Sequence, residues 1–202
     1  MLASPLINYC PKVIRMLALV ATLSPTLESA QRLEVEIPRI TAIPIIDGSI
    51  EEDEWREAAA IQVNIEVDPG DNIEAEVKAQ ALIMEDGQTI YVAFRAQDPD
   101  PSQIRGFYED RDSGWDGDYM GIILDTFNDE RRAFEFLVNP FGVQMDAIYD
   151  DVNQREDESW NAIWDSVGQI TESGYTVELA IPVSYTHLRA HETVLDLVCR
   201  LL

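Results

Sequence analysis

Between Gln31 and Pro182 the sequence contains no histidine and no cysteine. A histidine general base, a cysteine nucleophile, a zinc site of nitrogen and sulfur ligands and a histidine-ligated haem are therefore excluded from that stretch. Met120 or Met145 remains as a haem ligand. No disulfide can form within it either, so a packed core must hold the domain together. Positive charge is scarce: 14 Lys and Arg face 38 Asp and Glu, a net charge of −24. Such a field repels nucleic acid and anionic lipid headgroups, and suits neutral or cationic partners or bound calcium. The same acidity also serves simply to keep an exported domain soluble. Glycine-rich phosphate loops and the nucleophile-elbow motif are missing as well.

Both ends depart from the rest. The apolar run "MLALVATL" from Met16 is too short to span a bilayer. Lys12 and Arg15 precede it and "SPTLESAQ" follows. The arrangement reads as a secretory signal, with small residues near Ser29 and Ala30 for cleavage and Glu28 an awkward fit to that cut. Residues 1–30 are accordingly assigned to export, to the periplasm, the outer membrane or the cell exterior. The final "VSYTHLRAHETVLDLVCRLL" loses the acidic character of everything before it. His187 and His191 stand i, i+4, a spacing that grips zinc on a helix, but the H-E-x-x-H glutamate is missing and no third ligand is near. Back-translation offers a simpler origin. Val183 to Thr193 and Leu197 to Leu202 resemble, in one frame, two constant segments of a sequencing-library adaptor. Residues 183–202 are therefore expected to be non-native and to add no strand, leaving the natural domain cut short after Pro182. A genuine C-terminal helix is the alternative.

The remaining 31–182 region suits one domain. Its apolar residues recur with period two. "EVKAQALIM" puts Val77, Ala79, Ala81 and Ile83 on one face, and "TIYVAFRAQD" does the same with Ile90, Val92, Phe94 and Ala96. The intervening "EDGQ" is a hairpin turn signal. "YMGIILDTF", "RAFEFLVNP", "VQMDAIYDD", "AIWDSVGQI" and "GYTVELAIP" read as further strands. The last has Tyr175, Val177, Leu179 and Ile181 on one face. Only "SIEEDEWREAAAI" reads as a helix, with Ser49 as N-cap and acids in the first turn. The expected fold is all-β, an antiparallel, jelly-roll-like β-sandwich with one short helix near its start.

"IDGSIEEDEW", "TIYVAFRAQDPDP" and "WDGDYMGIILDTFND", in that order and spacing, resemble the carbohydrate-binding module family 9. "FLVNPFGVQMDA", "SWNAIWDSV" and "GYTVELAIP" resemble a branch of it found at the N-terminus of larger exported proteins with a barrel-like remainder. The resemblance runs from about Ile45 to Pro182. It implies a β-sandwich that binds polysaccharide or oligosaccharide without cleaving it, with calcium in some members. It also implies that a tryptophan just before the aspartate opening one strand stacks on sugar, a pattern that Trp115 and Asp118 match. The family's next acidic position falls on Gly121.

On chemical grounds, a sugar's apolar C–H face calls for an exposed aromatic, and its hydroxyl rim for carboxylates, amides and arginines. Trp115, among glycines and acids in "DRDSGWDGDY", is either such a platform or a packed loop anchor. Trp160 and Trp164, at i, i+4, read as core, with Trp160 the more exposed and the second sugar candidate. Trp55 is expected to seal the sandwich end. The acids of "QDPDPSQ" and "YDDVNQRED" offer oxygens at loop spacing for calcium, and Asp98 and Asp100 are the named ligands. So many acids are present that a glycosidase pair cannot be picked out. The runner-up to sugar binding is a ligand-free structural domain that packs on its own following barrel.

Overall fold

Period-two patterning becomes two sheets. The computed structural model describes residues 35–66, 73–126, 131–183 and 194–200. One sheet contains β1 (Ala59–Glu66), β2 (Ile73–Glu85), β3 (Thr89–Gln97), β8 (Asp165–Thr171) and β9 (Gly174–Pro182), in the order β1-β2-β3-β9-β8. The other contains β4 (Tyr119–Asp125), β5 (Arg132–Val138), β6 (Gln144–Asp150), β7 (Arg155–Asp157) and β10 (Val194–Arg200), in the order β10-β4-β5-β6-β7. All these pairings are antiparallel.

The main core lies between the sheets. Ala79, Ala81 and Ile83 of β2 and Ile90, Val92, Phe94 and Ala96 of β3 meet Met120, Ile122 and Leu124 of β4 and Phe136 and Val138 of β5. Tyr175, Val177, Leu179 and Ile181 of β9 complete it. These inward faces are the ones that the alternation predicts. The β2–β3 turn also forms as its sequence demands. Gly87 takes φ 88°, and Asp86 accepts from the Gln88 and Thr89 amides at 2.8 Å each.

The helix is shorter than its pattern suggests. Only Glu52–Trp55 is helical, its cap is Glu51, and Ser49 Oγ instead donates to Glu51 Oε1. Ala59, Ala60 and Ile61 belong to β1 and pair with Ile83, Leu82 and Ala81. Alanine favours helix intrinsically, but here the free edge of β2 decides.

Trp55 lies over the outer face of the first sheet. It packs there with Ile40, Leu82, Met84, Tyr91 and Ala93. Met120 and Met145 face opposite ways, the first into the main core and the second into a cluster on the outer face of the second sheet. No single haem could take both from one side.

The expectation that residues 183–202 add no strand is not met, because β10 pairs with β4 from Val194↔Asp125 to Arg200↔Tyr119. β4 is buried along its whole length and its edge calls for a partner. Main-chain pairing there makes few demands on sequence, and "VLDLV" is rich in strand formers. Residues 1–34 and 184–193, with His187, His191 and the stretch read as a secretory signal, lie outside the described residues. We propose that 183–202 are adaptor-encoded. Reads from an independently prepared library should diverge from this sequence at or near Val183. Reads that carry the same residues into further coding sequence would overturn the proposal.

Candidate functional site

Long connections gather at one rim of the sandwich. Residues 98–118 link β3 to β4, residues 139–143 turn β5 into β6, and residues 158–164 lead into β8. Asp98 and Asp100 begin the first connection and organise its backbone. Asp98 Oδ1 accepts from the Asp100 amide at 2.7 Å, and Asp100 caps the short 3-10 turn Pro101–Gln103. Its oxygens take the Ser102 hydroxyl at 2.6 Å and the Gln103 amide at 2.7 Å, bonds that hold its carboxyl below the usual aspartate range. Calcium needs six or more oxygens. Among the described residues no three acidic, histidine or cysteine side chains gather as a metal set, and the carboxylates of Asp98 and Asp100 serve here as turn and cap acceptors.

Asp118 is likewise a clamp. It is buried, its Oδ2 accepts from the Arg105 amide at 2.9 Å, and its own amide donates to the Arg105 carbonyl at 2.8 Å. Trp115 is only 7% exposed. Its ring meets Tyr119 edge-on at 6.1 Å, its Nε1 donates to the Asp112 carbonyl at 3.0 Å, and it packs with Ile123, Leu137 and Met145. Trp160 is half-buried, 5.0 Å from Phe134 and 5.8 Å from Phe136. Trp164 is buried and meets Phe136 edge-on at 5.5 Å, so both tryptophans serve the core.

Arg111 ties these connections together. Its guanidinium reaches Asp146 Oδ1 from Nε at 3.1 Å and from a terminal nitrogen at 2.5 Å, Gln144 Oε1, and the Ala162 carbonyl at 2.8 Å. Asp146 Oδ2 accepts from the Ala162 amide at 2.6 Å. Asp112, at φ 63°, accepts from the Asp146 amide at 3.0 Å. Burial pushes its carboxyl above the usual aspartate range, and the nearby Asp146 charge adds to this.

The aromatics that do face solvent at this rim are ones the sequence reading passed over. Phe107 is 54% exposed and Tyr108 82% exposed, and Tyr108 lies 4.4 Å from half-buried Phe141. Asn139 holds this pair of loops. Its buried amide donates to the Phe107 carbonyl at 2.7 Å and accepts from the Phe141 and Val143 amides at 2.9 and 3.0 Å. Two adjacent aromatics in the polar stretch "RGFYEDRD" were the available signal.

The family described as "Carbohydrate family 9 binding domain-like" matches residues 46–198. The chain belongs to this family. Among solved structures, two family 9 carbohydrate-binding modules from Caldicellulosiruptor kristjanssonii are similar to this family 9-like domain. The one in complex with glucose has a TM-score of 0.50 and 16% identity, covering 82% of this chain and 77% of that one. The one in complex with cellotriose has a TM-score of 0.48 and 15% identity, covering 82% and 76%. No curated protein matches the chain.

Against the family pattern, this domain differs in physical ways. Trp115 and Trp160 lie on opposite faces of the second sheet. The first rests on the outer face of the second sheet, through Tyr119, and the second on its inner face, through Phe134 and Phe136. At Gly121 a Cβ would collide with the Phe136 carbonyl oxygen and come within 2.8 Å of Leu137 Cα. An acidic side chain at that position would require β4 and β5 to move apart.

Proposed function

We propose that this chain binds neutral carbohydrate without cleaving it. Its membership in the family over residues 46–198 carries the reading. A module of similar fold in complex with glucose supports it, as does a net charge of −24, which suits an uncharged ligand better than an anionic one. We further infer that the domain is exported and belongs to a larger protein engaged in polysaccharide binding or breakdown. The basic, apolar and small-residue order of residues 12–30 supports export.

The test is affinity electrophoresis of the full chain through gels containing soluble neutral polysaccharides, with calorimetric titration of glucose and cellotriose. At least one glycan should retard or bind the protein, with no release of reducing ends on long incubation. Failure to bind any member of the panel would favour the ligand-free structural domain.

A further inference from the structure

We infer that exposed Tyr108, braced by Phe141, forms the platform on which a neutral sugar ring lies, with Phe107 the adjacent exposed ring of the same loop. The inference rests on the carbohydrate-binding reading above and names the surface that performs it.

Three observations lead to this surface. First, Phe107 and Tyr108 are adjacent in one loop, 54% and 82% exposed, while Trp55, Trp115 and Trp164 are buried. Large rings are costly to leave in water, and Tyr108 lies against half-buried Phe141 with ring centroids 4.4 Å apart, an arrangement that suits a binding surface better than chance exposure. Second, the loops that carry them are fixed before any ligand arrives. The buried Asn139 amide joins the Phe107 carbonyl to the Phe141 and Val143 amides, so one side chain sets the spacing between the loops. Gly106 lets the Phe141 ring lie against the main chain, since a Cβ there would come within 2.9 Å of Cδ2. Asp118 fixes the start of the same segment through both main-chain groups of Arg105. A surface held this way loses little conformational freedom on binding.

Third, the charge around the rings selects the ligand. Glu109 and Asp110 follow Tyr108 directly, and both are exposed, as is Asp116. Arg111, the nearest cation after them in the chain, is engaged by Asp146 and Gln144. With exposed Arg105 set against exposed Glu109, Asp110 and Asp116, the segment is net acidic. An anionic polymer would meet an excess of carboxylates, whereas a neutral sugar offers hydroxyl donors that carboxylates accept. A pyranose with equatorial hydroxyls supplies the matching apolar C–H face for the rings. Phe107 and Phe141 have no polar tip, so recognition by the rings is by stacking.

The experiment compares the full chain with Tyr108→Ala, Tyr108→Phe and the Phe107→Ala/Tyr108→Ala double variant on the glycan panel and in cellotriose titrations. Thermal unfolding is measured on each. Tyr108→Ala should weaken affinity about tenfold, the loss of one stacking partner, and the double variant further. Tyr108→Phe should keep affinity within about twofold, because the face and not the hydroxyl makes the contact. Melting temperatures should change little, since both rings are exposed. Binding by the unmodified chain that survives the double variant undiminished would overturn this inference alone, and would leave the patch to a protein partner. Absence of binding by the unmodified chain would overturn the carbohydrate reading and this inference with it.

Discussion

Asp146→Ala should destabilise the domain by about 3 kcal/mol, more than its single position on one strand would suggest. Asp146 is fully buried on β6, and its two oxygens serve different elements. Oδ1 holds the Arg111 guanidinium and Oδ2 holds the Ala162 amide. Removing the carboxylate leaves a buried amide without its acceptor, which costs about 1–3 kcal/mol. It also strands a guanidinium whose partner is gone; a fully buried broken pair costs about 3–5 kcal/mol. Arg111 is about one-third exposed and recovers some hydration, so the lower part of that range applies. Asp146→Asn keeps an acceptor for Ala162 and should cost about half as much. The same change loosens residues 158–164, which carry Trp160 and Trp164 onto Phe136. Tryptophan emission of the folded variant should therefore shift to the red. Denaturant midpoints of the two variants that match the parent would show that the Arg111–Asp146–Ala162 junction does not hold the rim.

What was legible in the sequence follows from what period-two patterning can carry. The inward faces of β2, β3 and β9 alternate cleanly, because the core covers one side and the pattern records which. The "EDGQ" turn was legible for a local reason, since Asp86 and Gly87 build it within four residues. β1 was misread because "AAAI" favours a helix in isolation, while β2, far along the chain, offers an edge to pair with. Trp115 shows where a local reading stops, leaving platform and packed anchor both open. Glycines and acids around it do make a loop, but Tyr119, Met145 and Leu137 come from three different strands to cover it. Loop membership and exposure are separate properties, and only tertiary packing decides the second. Phe107 and Tyr108 show the converse, exposed rings in a segment with no period to draw attention to them.

The largest effect is expected at Trp55. Trp55→Ala should cost about 3–5 kcal/mol by cavity formation alone, because the ring is 3% exposed among Ile40, Leu82, Met84, Tyr91 and Ala93. A second loss adds to this. Trp55 Nε1 donates to Glu178 Oε1 at 2.9 Å, and Glu178 is buried in the middle of β9. Its other oxygen accepts from the Asp47 amide at 2.9 Å and the Gly48 amide at 2.7 Å. Gly48 has φ 88°, so glycine at this turn permits the backbone to present its N–H there. This junction is what "IDGSIEEDEW" encodes: a turn and a tryptophan brought to one carboxylate more than a hundred residues away. Burial pushes the Glu178 carboxyl above the usual glutamate range despite those three donors. A raised acid binds its proton more tightly folded than unfolded. Its contribution is therefore greatest in acid and is lost as pH rises from the ordinary glutamate value, about 4.3, through the folded one. Taking away the indole donor raises the carboxyl further. Trp55→Phe, which keeps most of the apolar contact, should thus cost about 1–3 kcal/mol at neutral pH and less near pH 4. Chemical denaturation of both variants at the two pH values measures this. A Trp55→Phe cost that is independent of pH would mean that the indole N–H does nothing for the Glu178 charge, and the junction would then be held by packing alone.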